Sequence, residues 1–138
     1  MAHTRLRKFN TRDVYGPQAL DNDVCWVVKA NRTIFLRGQT GFDLQQNFVG
    51  KGDPAAQTEQ AMQNVKVLLA EAGSKIEHIC QLHIYILDRA HRSLVYPVIG
   101  RHLKGVHPVM TGLIIAGLAL PEMLVEIDVT AVIPDDEA

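Results

Sequence analysis

Hydrophobic and polar positions change period four times along the 138 residues, and each change marks an element. Val24 to Val28 and Thr33 to Leu36 are short β-rich runs around Asn31-Arg32, and together they predict a hairpin that ends at Gly38. A glycine-punctuated stretch from Gly38 to Gly52 follows, too long for a hairpin turn. Asp53 then offers a helix cap, Pro54 suits a first-turn position and Gly73 suits a C-terminal left-handed residue. Between them Thr58, Ala61, Met62, Val65, Leu68, Leu69 and Ala72 recur at three- and four-residue steps, one buried helical stripe.

From Ile79 to Leu87 the period falls to two, with Cys80, Leu82, Ile84 and Ile86 on one side and Gln81, His83, Tyr85 and Leu87 on the other. A second helix is expected within residues 90–103. Pro97 costs about 3 kcal/mol inside a helix, so an irregular first turn and regular helix from Tyr96 are predicted. Two strands close the chain, Val109 to Ala116 and Met123 to Ile133. In the last, Val125, Ile127, Val129, Ala131 and Ile133 share one face, and Glu126, Asp128 and Thr130 the other. Residues 134–138 read as a solvated, frayed tail and residues 1–14 as an N-terminal extension.

The order ββαβαββ predicts one α+β domain over residues 1–138, with two helices on one face of a mixed sheet. The other face, with Gln81, His83, Tyr85, Glu126 and Asp128 among apolar neighbours, suits a wet subunit interface and an oligomer with clefts.

Charge narrows the function classes: 14 Lys+Arg against 15 Asp+Glu leave a net −1, which disfavours a dedicated nucleic-acid binder. The basic residues Arg5, Arg7, Lys8 and Arg12 also lack the aromatic interleaving of a single-strand platform. No apolar run follows the basic N-terminus, so neither a signal peptide nor a membrane anchor is read. The two cysteines, Cys25 and Cys80, lie in apolar runs and are expected in the core of a reduced, cytoplasmic protein. The six histidines show no metal-ligand spacing, and no metal or other cofactor is expected. Gly50-Lys51-Gly52 before the Asp53 helix lacks the full phosphate-loop pattern and reads as a capped loop. No Gly-x-Ser-x-Gly elbow is present. Two groups could do chemistry. Glu126, on the open side of a strand, could orient or deprotonate a water, against the ordinary reading of a surface glutamate. Arg37, at a strand end, could grip a carboxylate with two parallel hydrogen bonds, against the reading of an exposed charge.

Gly16-Pro17, Gly38-Gln39, Gln57 to Val65, Ala72-Gly73, Tyr85-Ile86-Leu87-Asp88, Pro108, Leu118-Ala119, Pro121 and Val125-Glu126-Ile127 together resemble the Rid/YjgF family, the reactive intermediate deaminases. The likeness runs from about Gly16 to Ile133. It implies a chorismate-mutase-like fold, a homotrimer with clefts between subunits, and cofactor-free hydrolysis of enamines or imines such as 2-aminoacrylate and 2-iminopropanoate. It further implies a last-strand glutamate that positions water, matched by Glu126, and an arginine two residues after the proline that opens the penultimate strand. That position is Met110, whose thioether cannot pair with a carboxylate. Gln18 stands where active members usually have tyrosine, and Arg37 where they have serine.

Three functions follow as expectations. One is a small-molecule cleft with Glu126 as catalytic group and Gly38, Gln39, Arg37, Met110, Ser93 and Tyr96 as binding residues, with Arg37 standing in for the missing guanidinium. Another is a homologue that keeps Glu126 but serves a different small molecule, one lacking a carboxylate, which it hydrolyses poorly or only binds, with Met110, Gly112 and Ile114 making the wall more apolar. The endoribonuclease or translation-inhibitor role attached to the family name is the weakest, given the charge.

Overall fold

The computed structural model describes residues 2–137; Met1 of the expected extension and Ala138 of the expected tail lie outside them. Six strands, β1 (Thr4–Asn10), β2 (Asp23–Ala30), β3 (Thr33–Gln39), β4 (Ile79–Ile86), β5 (Val109–Ile114) and β6 (Val125–Val132), form one sheet in the order β1-β2-β3-β6-β4-β5. Only β4 and β5 pair in parallel. Helices α1 (Pro54–Glu71) and α2 (Arg92–His102) cover one face. This is the expected α+β architecture with one strand more than the hydrophobic pattern gave.

Local chemistry sets these boundaries. Asp53 is extended and its side chain accepts from the Ala56 amide, while Pro54 occupies the first turn. Gly73, at φ 80, lets the Ser74 and Gly73 amides turn back to the Leu69 and Ala70 carbonyls. All seven residues of the expected stripe are buried. They pack on Leu82, Ile84, Ile127 and Val129.

Several expectations need correction. Residues 4–10 are an edge strand paired with β2, not an extension. The tail is tied down: Asp135 pairs with Arg32, and Glu137 pairs with Lys75 and with buried His78. His78 Nδ1 in turn shares a 2.9 Å hydrogen bond with Ser74 Oγ. The cysteines are not core. Register shifts between Ile79 and Gln81, so Ile79 takes the buried place and Cys80 is exposed; Cys25 is half-buried. Helix α2 is regular from Arg92, after a 3-10 turn at Arg89–His91, although Pro97 lies inside it. The carbonyl that Pro97 leaves without a donor belongs to Ser93, which is solvent-exposed.

Candidate functional site

The hairpin turn fixes the first wall. Ala30 pairs with Thr33 and Val27 with Leu36, and continuing that register puts Trp26 opposite Arg37. Beyond Leu36 the pairing of β3 with β6 slips by a bulge before Gln39 meets Ile127. Gly38 lies in the slip, and the Glu126 carboxyl lies directly over it. A Cβ at Gly38 would come within 2.8 Å of Glu126 Cδ and closer still to Oε2. Gly38 is therefore the floor on which the carboxyl rests, which is a role only a residue without a side chain can fill.

On β4 the strand partner of Glu126 is Tyr85, and that of Asp128 is His83. Asp128 gathers this face: it shares a 2.7 Å bond with His83 Nδ1 and accepts from the Tyr85 hydroxyl at 2.9 Å. That bond to Asp128 holds the Tyr85 phenol above its usual pKa. Burial pushes the Glu126 carboxyl above the ordinary glutamate value, Arg37 opposes the shift, and Asp128 adds to it. A half-buried carboxyl balanced in this way can both accept and return a proton.

Arg37 is half-buried rather than exposed. Its Cζ lies 4.8 Å from the Phe9 ring centroid, 5.1 Å from Trp26 and 5.9 Å from Tyr15, and Nη2 donates to the Tyr15 hydroxyl at 3.1 Å. Gln18, by contrast, folds its amide back onto the Thr11 and Val14 carbonyls. The entry to β6 is held from the helix side. Gln57, fully buried on α1, donates to the Gly50 and Glu122 carbonyls and accepts from the Leu124 amide, tying the glycine loop to the segment leading into Glu126.

Of the expected site residues, one protomer brings together Glu126, Gly38 and Arg37. It does not bring the others. Gln39 pairs with Ile127, is buried, and turns its amide to the Arg37 carbonyl, so it braces the bulge instead of facing a ligand. Met110 is in register with Leu82 and Val129, the helix-covered row, whereas Glu126 aligns with Tyr85 on the other face. Tyr96 sets its hydroxyl against Gly112 of β5, beneath the Arg92 guanidinium at 4.8 Å. Ser93 is exposed and donates to the Ala90 carbonyl. Phe9, Tyr15 and Trp26 were not foreseen. The hairpin register alone would have placed Trp26, but the other two depend on the unforeseen strand β1. A cavity of about 570 Å³ lies along β1 and β2, lined by Arg5, Lys8, Phe9, Asp23, Val24 and Cys25 and not by Glu126. Among the described residues no group of three or more His, Cys, Asp or Glu could hold a metal, and no helix is long and apolar enough to cross a membrane.

A two-helix, six-stranded mixed sheet with a carboxyl set over a glycine on its open face defines a class, and sequence comparison identifies it. Residues 17–133 match the family model described as Endoribonuclease L-PSP, and the chain belongs to this family, also called YjgF/Rid. It is 34% identical over 106 residues to protein DfrA of Myxococcus xanthus, covering 76% of this chain and 79% of that protein. A YjgF-family protein of Neisseria meningitidis is 31% identical at TM-score 0.71, covering 80% of this chain and 87% of that one. The Rid-family protein YyfA of Yersinia pestis shares the fold at TM-score 0.78 and 23% identity, over 96% and 100% of the two chains.

Proposed function

We propose that the chain hydrolyses a reactive enamine or imine metabolite in a cleft built on Glu126. The observation that carries this reading is the half-buried carboxyl seated on Gly38, with its pKa raised by burial. In the reaction, water adds to the imine carbon while Glu126 takes a water proton and passes it to the nitrogen. As the C–N bond of the resulting carbinolamine breaks, its hydroxyl proton is carried by the same carboxyl to the departing nitrogen, so ammonia and the carbonyl product leave and no electron acceptor is needed. A homotrimer fits the surface. Strand β5 is exposed at every residue, with Val109 at 65% and Met110 at 44%, an apolar edge that a second copy would cover. Such a copy could also bring Met110 and Tyr96 toward a neighbour's Glu126.

The test is ammonia and keto-acid release from freshly generated 2-iminopropanoate. Glu126→Gln is expected to lower turnover by about 10²- to 10⁴-fold with the fold retained. Equal rates in the two proteins would end the deaminase reading. A second reading, a binding protein without turnover, is favoured by the uncharged Met110 on the apolar edge. It predicts a silent wild type in which Met110→Arg gains activity. Cleavage of RNA by wild type but not by Glu126→Gln would instead support the family's ribonuclease name.

A further inference from the structure

Strand β1 breaks the alternation expected of a strand. Successive residues point to opposite faces, so positions three apart should lie on opposite sides. Leu6 and Phe9 are three apart, yet both pack against the core. The break sits at Arg7, whose φ of 58 is a costly conformation for a residue with a side chain. Strand β2 shares it, since the neighbours Trp26 and Val27 are both buried. A two-point bond from Arg7 to Glu71 of α1, with Nε at 2.9 Å and Nη2 at 2.7 Å, holds the strained residue in place.

The same break turns two cations to one side. Arg5 and Lys8, also three apart, line the cavity of about 570 Å³ together with Phe9, Asp23, Val24 and Cys25. Neither cation makes an ion pair among the described residues. Asp23, the one carboxylate in the lining, already accepts from the Asn10 side-chain amide at 3.0 Å. Bringing two like charges to one cavity costs energy unless an anion enters it. Lysine and arginine on an edge strand also discourage the addition of a further strand, but for that purpose they need neither a cavity nor a left-handed residue between them. Phe9, Val24 and Cys25 make the remaining wall apolar, and the volume lies in the range of small-molecule sites. Strands β1 and β5 are opposite edges of the sheet, so this cavity is remote from the apolar edge at Val109 and Met110.

We propose that this cavity is a second small-molecule site, independent of Glu126, for an amphiphilic anion: an apolar chain or ring bearing one acidic group. Two cations against one carboxylate leave a single positive charge for the head group, which sits at Arg5 and Lys8. The apolar part lies along Phe9, Val24 and Cys25.

Octanoate is the probe, and 1-octanol, the same chain without the charge, is its control. Two reporters flank the cavity. Cys25 is half-buried in its wall, while Cys80, the other cysteine of the chain, is exposed on β4 outside it. Trp26 is the single tryptophan, and its ring centroid lies 6.3 Å from that of Phe9. Octanoate is expected to slow alkylation of Cys25 by iodoacetamide, to leave the rate at Cys80 unchanged, and to shift Trp26 emission saturably. Salt should weaken its binding, and 1-octanol should bind less tightly. Because both cations are exposed, Arg5→Gln and Lys8→Gln should each weaken octanoate binding about 2- to 5-fold and leave 1-octanol unaffected. The double variant should bind the two probes alike. Glu126→Gln should bind octanoate as wild type does. Far-UV circular dichroism on each variant separates these effects from misfolding. Should the double variant fail to fold, the contrasts in wild type between the two probes and between the two cysteines decide. No protection of Cys25, equal protection of Cys25 and Cys80, equal affinity for the two probes, or unchanged octanoate affinity in a folded double variant overturns the proposal. Octanoate binding lost in Glu126→Gln overturns it too, since the probe would then occupy the Glu126 cleft. The deaminase reading stands or falls separately, on turnover of 2-iminopropanoate.

Discussion

On the helix-covered face of the sheet, Leu82, Ile84, Ile127 and Val129 lie side by side with almost no exposed surface. One residue along in each strand, His83, Tyr85, Glu126 and Asp128 are half-exposed and joined by hydrogen bonds and charge. The same two strands therefore do different work on their two sides. The covered side gains stability from area removed from water, and the polar groups buried in that layer, such as Gln57 and Thr58, are hydrogen-bonded. The open side gains little from burial and keeps charged groups at fixed spacing, which is what a reaction needs and folding alone does not.

The largest effect that would break this contrast is expected in the covered layer. Ile127→Ala should cost about 2–5 kcal/mol, because a fully buried side chain is replaced by a cavity between β6 and α1. Asp128→Asn, one residue away, should stay within about 1 kcal/mol, since its carboxylate is partly solvated and keeps two possible partners. Urea unfolding of both proteins measures the difference. Comparable losses would mean that the open face is also a stability layer.

Gln57→Leu comes next. Its side chain joins α1 to the glycine loop and to the segment entering β6, and leucine leaves the Gly50 and Glu122 carbonyls and the Leu124 amide without their partner. An unsatisfied buried group costs about 1–3 kcal/mol. Unlike Ile127→Ala, this change should also reach the site, because Leu124 precedes Glu126 by two residues. Faster amide exchange at Leu124 and Val125 than in Ile127→Ala would mark that reach; equal exchange would reduce Gln57 to a core residue.

How much could be read from the chain follows the same division. Elements with one dry face were legible: Asp53, Pro54 and Gly73 bounded α1, and alternation from Val125 to Ile133 gave β6 with Glu126 on the correct side. Strand β1 was not, because an edge strand pairs on one side only, and Leu6 and Phe9 are too few apolar positions among Arg5, Arg7 and Lys8 to show a period. The tail was misread for a related reason: Asp135 and Glu137 look solvated until Arg32, Lys75 and His78 are placed beside them. Glu126 could be chosen from alternation and resemblance together. The cage around Arg37 could not, since two of its three rings come from segments with no pattern of their own. Met110 is grouped with Glu126 by resemblance and Ser93 and Tyr96 by position alone, and parallel pairing with β4 turns Met110 to the covered side of its own protomer.

The smallest effect, and the sharpest, concerns the pH dependence of stability at Glu126. Its pKa is raised in the folded protein, chiefly by burial, so between the unfolded and folded values the native state binds more protons than the unfolded one. Stability contributed by this group must then fall as pH rises through that window, opposite in sign to a salt-bridged carboxylate, and the penalty is complete above the folded pKa. Glu126→Gln removes the ionisation, so unfolding free energy measured from just below the ordinary glutamate pKa up to neutrality should decline less than in wild type. Glu71, whose pKa is lowered by its bond to Arg7, provides the control: Glu71→Gln should remove a contribution that is lost as pH falls. A Glu126→Gln profile that tracks wild type would mean the carboxyl over Gly38 is as well solvated as any surface glutamate, and the open face would lose the carboxyl whose burial sets it apart from ordinary polar surface.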